Sequence, residues 1–342
     1  MKRPPPDWAN DANFLSLTIS ENLIVLPIPT CPLPSGFTFI VVEVNNPSSG
    51  DRWVNLHGFL PDLLDDSLEP VTRHFAQPDQ CDSLYLTRIH SHRDAGSTLM
   101  FRLAWQGERL DMEIRTHFVR ELRATFENLR AGEYLLRFKH YLPSGTKWKS
   151  TALESNFKTL RFVEPVGSDY GIVEVDGIQF EAIAPEEILI PSQQVESSIP
   201  VEFKLRIHNT SSIPQLFLLF QLMPEIQDST GQVLDRSYNR NASYNPRELD
   251  FRWLQPGEDL AFAINGEFYW YENQLHLRGY ENSGGFWGFT IPAGEYWLRV
   301  TYCKRRWNRD PKYCEDNAWK LHREIWEGCV STPVKKFRVI TD

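Results

Sequence analysis

Five cysteines and nine histidines are the groups in this 342-residue chain most suited to metal or nucleophilic chemistry. Cys303, Cys314 and Cys329 offer three soft ligands, and His322 offers a fourth. Their separations are unlike the short paired spacings of structural zinc sites. His90 and His92 share one side of an extended segment, with Asp94 close by, but Ile89–Gly96 reads as a solvated turn. Asp62, Asp65 and Asp66 form an acidic group echoed by Glu225 and Asp228. Calcium would need a denser ladder of oxygen ligands, so these too read as turns. No Gly-x-Ser-x-Gly elbow and no phosphate-cradling glycine loop occurs. The expectation is a protein with no catalytic residue, no metal and no cofactor.

Binding chemistry is better represented. A segment from Cys303 to Cys329 opens on the basic run Lys304–Arg309, which includes Arg305, Arg306 and Trp307. It then places Trp319, His322 and Trp326 at helical spacing, with Asp316 or Asn317 able to cap the start and Gly328 the end. Arginine and tryptophan combine large buried area with directed bonds or stacking, so they dominate many interfaces. Arg305, Arg306, Trp307, Trp319 and Trp326, helped by Trp287, form the expected contact for a protein partner. The opposing reading is that the segment only covers a sheet edge. A second aromatic group, Tyr269, Trp270 and Tyr271, puts large rings on both faces of a hairpin and offers a stacking platform for carbohydrate.

The elements that must carry these groups are strands, and they come in duplicate. Leu129–Arg137 recurs as Ile291–Arg299, Val42–Asn46 as Leu205–Asn209, and Lys158–Val163 as Lys335–Ile340. Val201, Phe203, Leu205 and Ile207 alternate with Glu202, Lys204, Arg206 and His208, the period of a half-buried strand. The first copy keeps Ile40, Val42 and Val44, but its other row (Phe39, Val41, Glu43) is less polar. That strand is expected to be covered on both faces. Apolar runs stop at Pro61–Asp62 and Pro224–Glu225, which read as strand ends. Trp105 and Trp270 each precede an apolar pair. Ile114, Phe118, Leu122, Phe126 and Leu129 recur at spacings of four and three, which predicts a helix near 112–128. Duplication fixes the expected organisation: a loose segment 1–12, a repeat over 13–164, a linker at 165–170, and a second repeat over 171–342 with its insert at 303–329.

The Ala-Gly-Glu-Tyr element of both copies (Ala131–Tyr134, Ala293–Tyr296) resembles the corner of immunoglobulin-like and fibronectin type III-like sandwiches. There the tyrosine hydroxyl bonds back to backbone and pins the crossing between sheets. The resemblance implies an all-β protein of two tandem immunoglobulin-like β-sandwich domains related by internal duplication. With the predicted helices, each half carries a short one.

Composition narrows the partners. The net charge of −9 disfavours nucleic acid and anionic membranes. No apolar run reaches the roughly 18 residues of a membrane span. The start, Met1–Trp8, has no apolar core behind its basic pair, so a cytoplasmic location and reduced cysteines are expected. Aromatic residues make up 13%, including 11 Trp, which suits sheet faces that bind. The expected function is a non-catalytic interaction or scaffold protein. The alternatives are carbohydrate binding, proteinase inhibition and a metal-dependent enzyme hidden in loops.

Overall fold

The structure is a computed structural model. It describes residues 16–29, 37–46, 52–55, 58–74, 86–89, 97–115, 120–140, 143–144, 147–148, 153–167, 170–190, 198–219, 222–240, 246–281, 284–303, 321 and 324–341. The chain forms two compact units. The first is Met1–Ile24 with Phe37–Arg161, and the second is Val25–Gly36 with Phe162–Asp342. Nearly all regular structure is strand.

In the first unit a six-stranded sheet runs in the order Ser16–Ile19, Phe37–Asn45, Ser97–Gln106, Arg109–Arg115, Arg120–Phe126, Arg73–His74. In the second unit the order is Ile172–Val175, Ile178–Ile183, Ile199–Asn209, Asp259–Tyr271, Gln274–Tyr280, Gly285–Thr290, Ser237–Arg240. After the added edge strand Ile172–Val175, the two orders match strand for strand. So does the register: Val42 faces Leu99 and Leu205 faces Phe262, while Trp105 faces Leu110 and Trp270 faces Leu275. The opposing strands match as well. Gly132–His140 pairs with Phe59–Leu64, as Gly294–Cys303 pairs with Pro224–Asp228.

These strands form because apolar residues occupy every second position and face a partner sheet. Along Ile199–Asn209, Val201, Phe203, Leu205 and Ile207 are buried while the residues between them are not. Rings close the space between sheets. Phe101 meets Phe138 at 4.2 Å in the first unit, and Phe203 meets Phe337 at 5.6 Å in the second. Sheet packed on sheet is the sandwich arrangement.

Both tyrosine corners are closed. Tyr296 donates its hydroxyl to the Pro292 carbonyl at 2.7 Å, and Tyr134 donates to the Arg130 carbonyl at 3.2 Å. Burial, followed by the charge of Asp228, pushes the Tyr296 hydroxyl up to about 12.

Two local expectations are corrected. The helix near 112–128 is instead the strand pair Arg109–Arg115 and Arg120–Phe126. Leu110, Met112 and Ile114 point inward at period two, as do Ala124 and Phe126. A register shift between Leu122 and Ala124 changes phase along the second strand. Two period-two strings joined out of phase thus mimicked spacings of three and four. The short helix expected in the first half is therefore absent from these strands. The one expected in the second half falls mostly on residues outside those described.

The second correction concerns the prolines. Pro61–Asp62 lies inside a strand, and Pro224–Glu225 opens one. A proline without an N–H is tolerated where a strand is laddered on one side only. Asp62 and Glu225 are accordingly buried, not solvated.

Candidate functional site

The expected partner contact divides into two groups. Arg305, Arg306, Trp307 and Trp319 lie outside the described residues, as do Cys314, His322 and the His90–Asp94 turn. Trp287 and Trp326 are described, and both are core residues. Trp287 is 1% exposed. Its ring fills the space left by Gly266 and Gly279, where an added Cβ at Gly279 would lie 2.1 Å from the ring. Trp326 stacks on Phe217 and meets Phe180 and Tyr302. Its backbone N–H donates to the Leu216 carbonyl at 2.8 Å, and Ile325 packs with Leu216 and Phe251. The end of the insert therefore covers the Gln215–Leu218 strand. Burial removes Trp287 and Trp326 from any contact surface, because a ring already surrounded by core cannot also meet a partner.

The hairpin Asp259–Tyr271/Gln274–Tyr280 presents a different surface. Glu272 (φ 48°) and Asn273 (φ 62°) make its two-residue turn, both in the left-handed region that such turns require. Side chains then alternate. Phe268, Trp270, Leu275 and Leu277 point to one face, and Phe268, Leu275 and Leu277 are buried there. Glu267, Tyr269, Tyr271, His276, Arg278 and Tyr280 share the other face. Of the expected carbohydrate platform, Tyr269 and Tyr271 thus stand together, and Trp270 points away.

On the outer face the groups hold one another in place. Arg278 sits over the Tyr269 ring, 4.4 Å from its centroid, and donates to Glu267 at 2.6 Å. Ser198 donates to the second Glu267 oxygen at 2.6 Å. The bonds from Ser198 and Arg278 hold the Glu267 carboxyl below the usual carboxylate range. Tyr269 stacks on His276 at 5.5 Å, and Tyr271 meets the same imidazole edge-on at 6.1 Å. At the two ends Tyr271 is 58% and Tyr280 66% exposed. The result is a row of ordered rings over a neutralised ion pair, with a free tyrosine face at each end.

The first unit carries the same hairpin with a different face. Arg102 opposes Glu113 at 3.3 Å where Glu267 opposes Arg278, so the cross-strand pair is kept with its charges exchanged. Asp111 accepts from Thr125 at 2.8 Å where His276 meets Thr290 at 3.4 Å. Ala104 stands at the Tyr269 position. Arg102, Ala104 and Asp111 are all buried, consistent with the apolar second row read in Phe39 and Val41. Gln106 and Arg109, at the Tyr271 and Gln274 positions, are exposed, so among the described residues the two faces differ in their rings and at their centre. His276, Arg278 and Tyr280 were not singled out from sequence. The alternation Gln274, His276, Arg278, Tyr280 against Leu275 and Leu277 was the available signal.

The acidic residues have structural work. Glu225 accepts from Arg299 Nε at 2.8 Å and Nη2 at 2.5 Å, with Arg299 1% exposed. The matching Asp62 meets Arg137 and Arg73 at 3.1 Å and Lys139 at 2.7 Å. Burial would raise the Asp62 carboxyl, but hydrogen bonds from Lys139 and Arg137 outweigh it and hold it below its ordinary value. Asp65 and Asp228 each accept from backbone N–H groups two and four residues on, closing a similar loop in each unit.

No family model matches the chain, and no curated protein does. Among solved structures it is similar to Escherichia coli alpha-2-macroglobulin in its native conformation, at 9% identity and a TM-score of 0.21. That match covers 97% of this chain and 17% of the other. It is also similar to Escherichia coli alpha-2-macroglobulin activated by porcine elastase, at 10% identity and a TM-score of 0.19, covering 96% of this chain and 22% of the other. At these TM-scores the likeness carries no weight for fold or function, and the chain spans less than a quarter of either macroglobulin chain.

Proposed function

We propose that the chain is a non-catalytic protein-interaction protein of the cytoplasm, built from two tandem immunoglobulin-like sandwiches of duplicated origin. Its recognition surface is the outer face of the second unit's hairpin, centred on Tyr269, Tyr271, His276, Arg278 and Tyr280. Arg305, Arg306, Trp307 and Trp319 of the insert are a second candidate contact, proposed on residue type alone. One observation carries the reading: where the second unit sets Tyr269, His276 and the exposed Tyr271, the first unit has the buried Ala104 and Asp111 and the exposed Gln106, so the rings are particular to the second hairpin. The fold does not demand those rings, and tyrosine and arginine carry interface energy out of proportion to their number.

The test is co-purification from the native cell, read by mass spectrometry, with wild type against Tyr271→Ala/Tyr280→Ala. Two lost hot spots of about 2 kcal/mol each would weaken a partner far beyond tenfold. Recovery of the same partners at the same yield by the double variant removes the proposal. A carbohydrate reading also has an observation in its favour, since the exposed tyrosine faces flank an ion pair already neutralised and able to meet hydroxyl groups. A glycan panel followed by tryptophan fluorescence decides it, because Trp270 lies in the same hairpin. No response to any sugar eliminates that reading.

A further inference from the structure

We infer that Cys303 and Cys329, thiols in this structure, are a redox-responsive pair that a disulfide oxidant closes into a cross-strand bond at the base of the insert. The two residues face each other in the antiparallel pair Gly294–Cys303 and Cys329–Ser331. Two positions along the same face, the Thr301 and Ser331 hydroxyl oxygens lie 3.0 Å apart, so side chains on this face of the ladder meet. The Thr332 N–H donates to the Val300 carbonyl at 3.0 Å. That makes Val300 and Thr332 a hydrogen-bonded pair, and the alternation of the ladder makes Cys303 and Cys329 a non-hydrogen-bonded one. Facing Cα atoms in such pairs stand about 4.5 Å apart, inside the roughly 4.4–6.8 Å range that a disulfide spans.

Accessibility sets the order of events. Cys303 is part-exposed and Cys329 is buried. The Cys303 thiolate attacks one sulfur of a low-molecular-weight disulfide, whose S–S bond breaks and releases one thiol. The Cys329 thiol gives its proton to solvent, and its sulfur attacks Cys303 Sγ, expelling the second thiol. The two protein thiols are oxidised by two electrons in all, and the reagent disulfide is reduced to two thiols. The bond ties the two ends of segment 304–328 together. It is independent of what the hairpin face binds.

The experiment treats the full chain with oxidised glutathione, blocks remaining thiols with iodoacetamide, and maps peptides without reduction. The expected product links the Cys303 peptide to the Cys329 peptide, with no glutathione retained on either. In Cys329→Ser the glutathione should stay on Cys303, and in Cys303→Ser Cys329 should remain unmodified. Cys329→Ala repeats the first variant without a buried hydroxyl. A predominant Cys303–Cys314 link, separate glutathione adducts on Cys303 and Cys329, or no link between them would each overturn the inference.

Discussion

Replacing Arg299 by methionine should unfold the second unit far more readily than the matching change unfolds the first. Arg299 is 1% exposed and gives two hydrogen bonds to one Glu225 oxygen. Without it, the Glu225 carboxylate stays buried with a long contact of 3.4 Å from Thr301. Breaking a buried pair by removing one partner costs about 3–5 kcal/mol, because the remaining charge is uncompensated. Arg137→Met is the counterpart. Its side chain is 21% exposed, and Asp62 keeps Lys139 at 2.7 Å and Arg73 at 3.1 Å. The loss there should be only about 1 kcal/mol. Glu225→Leu/Arg299→Met removes both charges and should recover most of the deficit, since apolar replacements of buried pairs are often neutral. Urea unfolding followed by tryptophan fluorescence measures all three, each transition being fitted separately if the two units unfold apart. A cost below about 1 kcal/mol for Arg299→Met, or a double variant no better than the single one, would refute the assignment of this pair as a buried, mutually dependent unit.

Tyr296→Phe should cost about 1–2 kcal/mol through its lost bond to Pro292, and Tyr134→Phe less, because its corner is more exposed. Between pH 10 and about 12 the unfolded tyrosine loses its proton before Tyr296 does, so stability falls as pH rises there. Tyr296→Phe should flatten that alkaline slope in pH-dependent melting. Asp62 and Asp111 should behave oppositely in acid. The depressed Asp62 contributes stability above its unfolded value of 3.8 that disappears as pH falls through the folded value, so Asp62→Asn should destabilise at neutral pH. Burial raises Asp111 despite its bond from Thr125, so its charge costs stability above the folded value and relief comes as pH falls. Asp111→Asn should be neutral or stabilising at pH 7 in the same denaturation assay. Gly279→Ala would set a Cβ 2.1 Å from the Trp287 ring and 2.5 Å from the Asn265 carbonyl. It should cost about 1–3 kcal/mol in thermal unfolding, by overpacking. Substitutions at Tyr271 and Tyr280 should stay within about 0.5 kcal/mol, being exposed.

Local order in the chain was enough to show strands, their inner rows and the two tyrosine hydroxyls that bond back to backbone. Each of these is written in side chains one to four positions apart, and alternation needs no distant partner to be read. The same locality misled at 112–128, where a register shift between Leu122 and Ala124 produced helical spacing from two strands. It also misled at Pro61–Asp62 and Pro224–Glu225. The acids were visible as a matched pair, but their partners Arg137 and Arg299 lie 75 and 74 residues away.

Burial and register were settled only by long-range packing. Trp287 and Trp326 look alike as surface anchors in a linear reading, yet each fills a space that other segments leave: Gly266 and Gly279 for one, Phe180, Phe217 and Tyr302 for the other. The outer face of the second hairpin joins Ser198, Glu267, Tyr269, His276 and Arg278, which no short window brings together. Cross-strand neighbours are set by how strands align, and alignment is decided by the whole sheet's fit against its core. Alternation along one strand says which side chains share a face. Only the assembled sheet says which face is left open to meet another molecule.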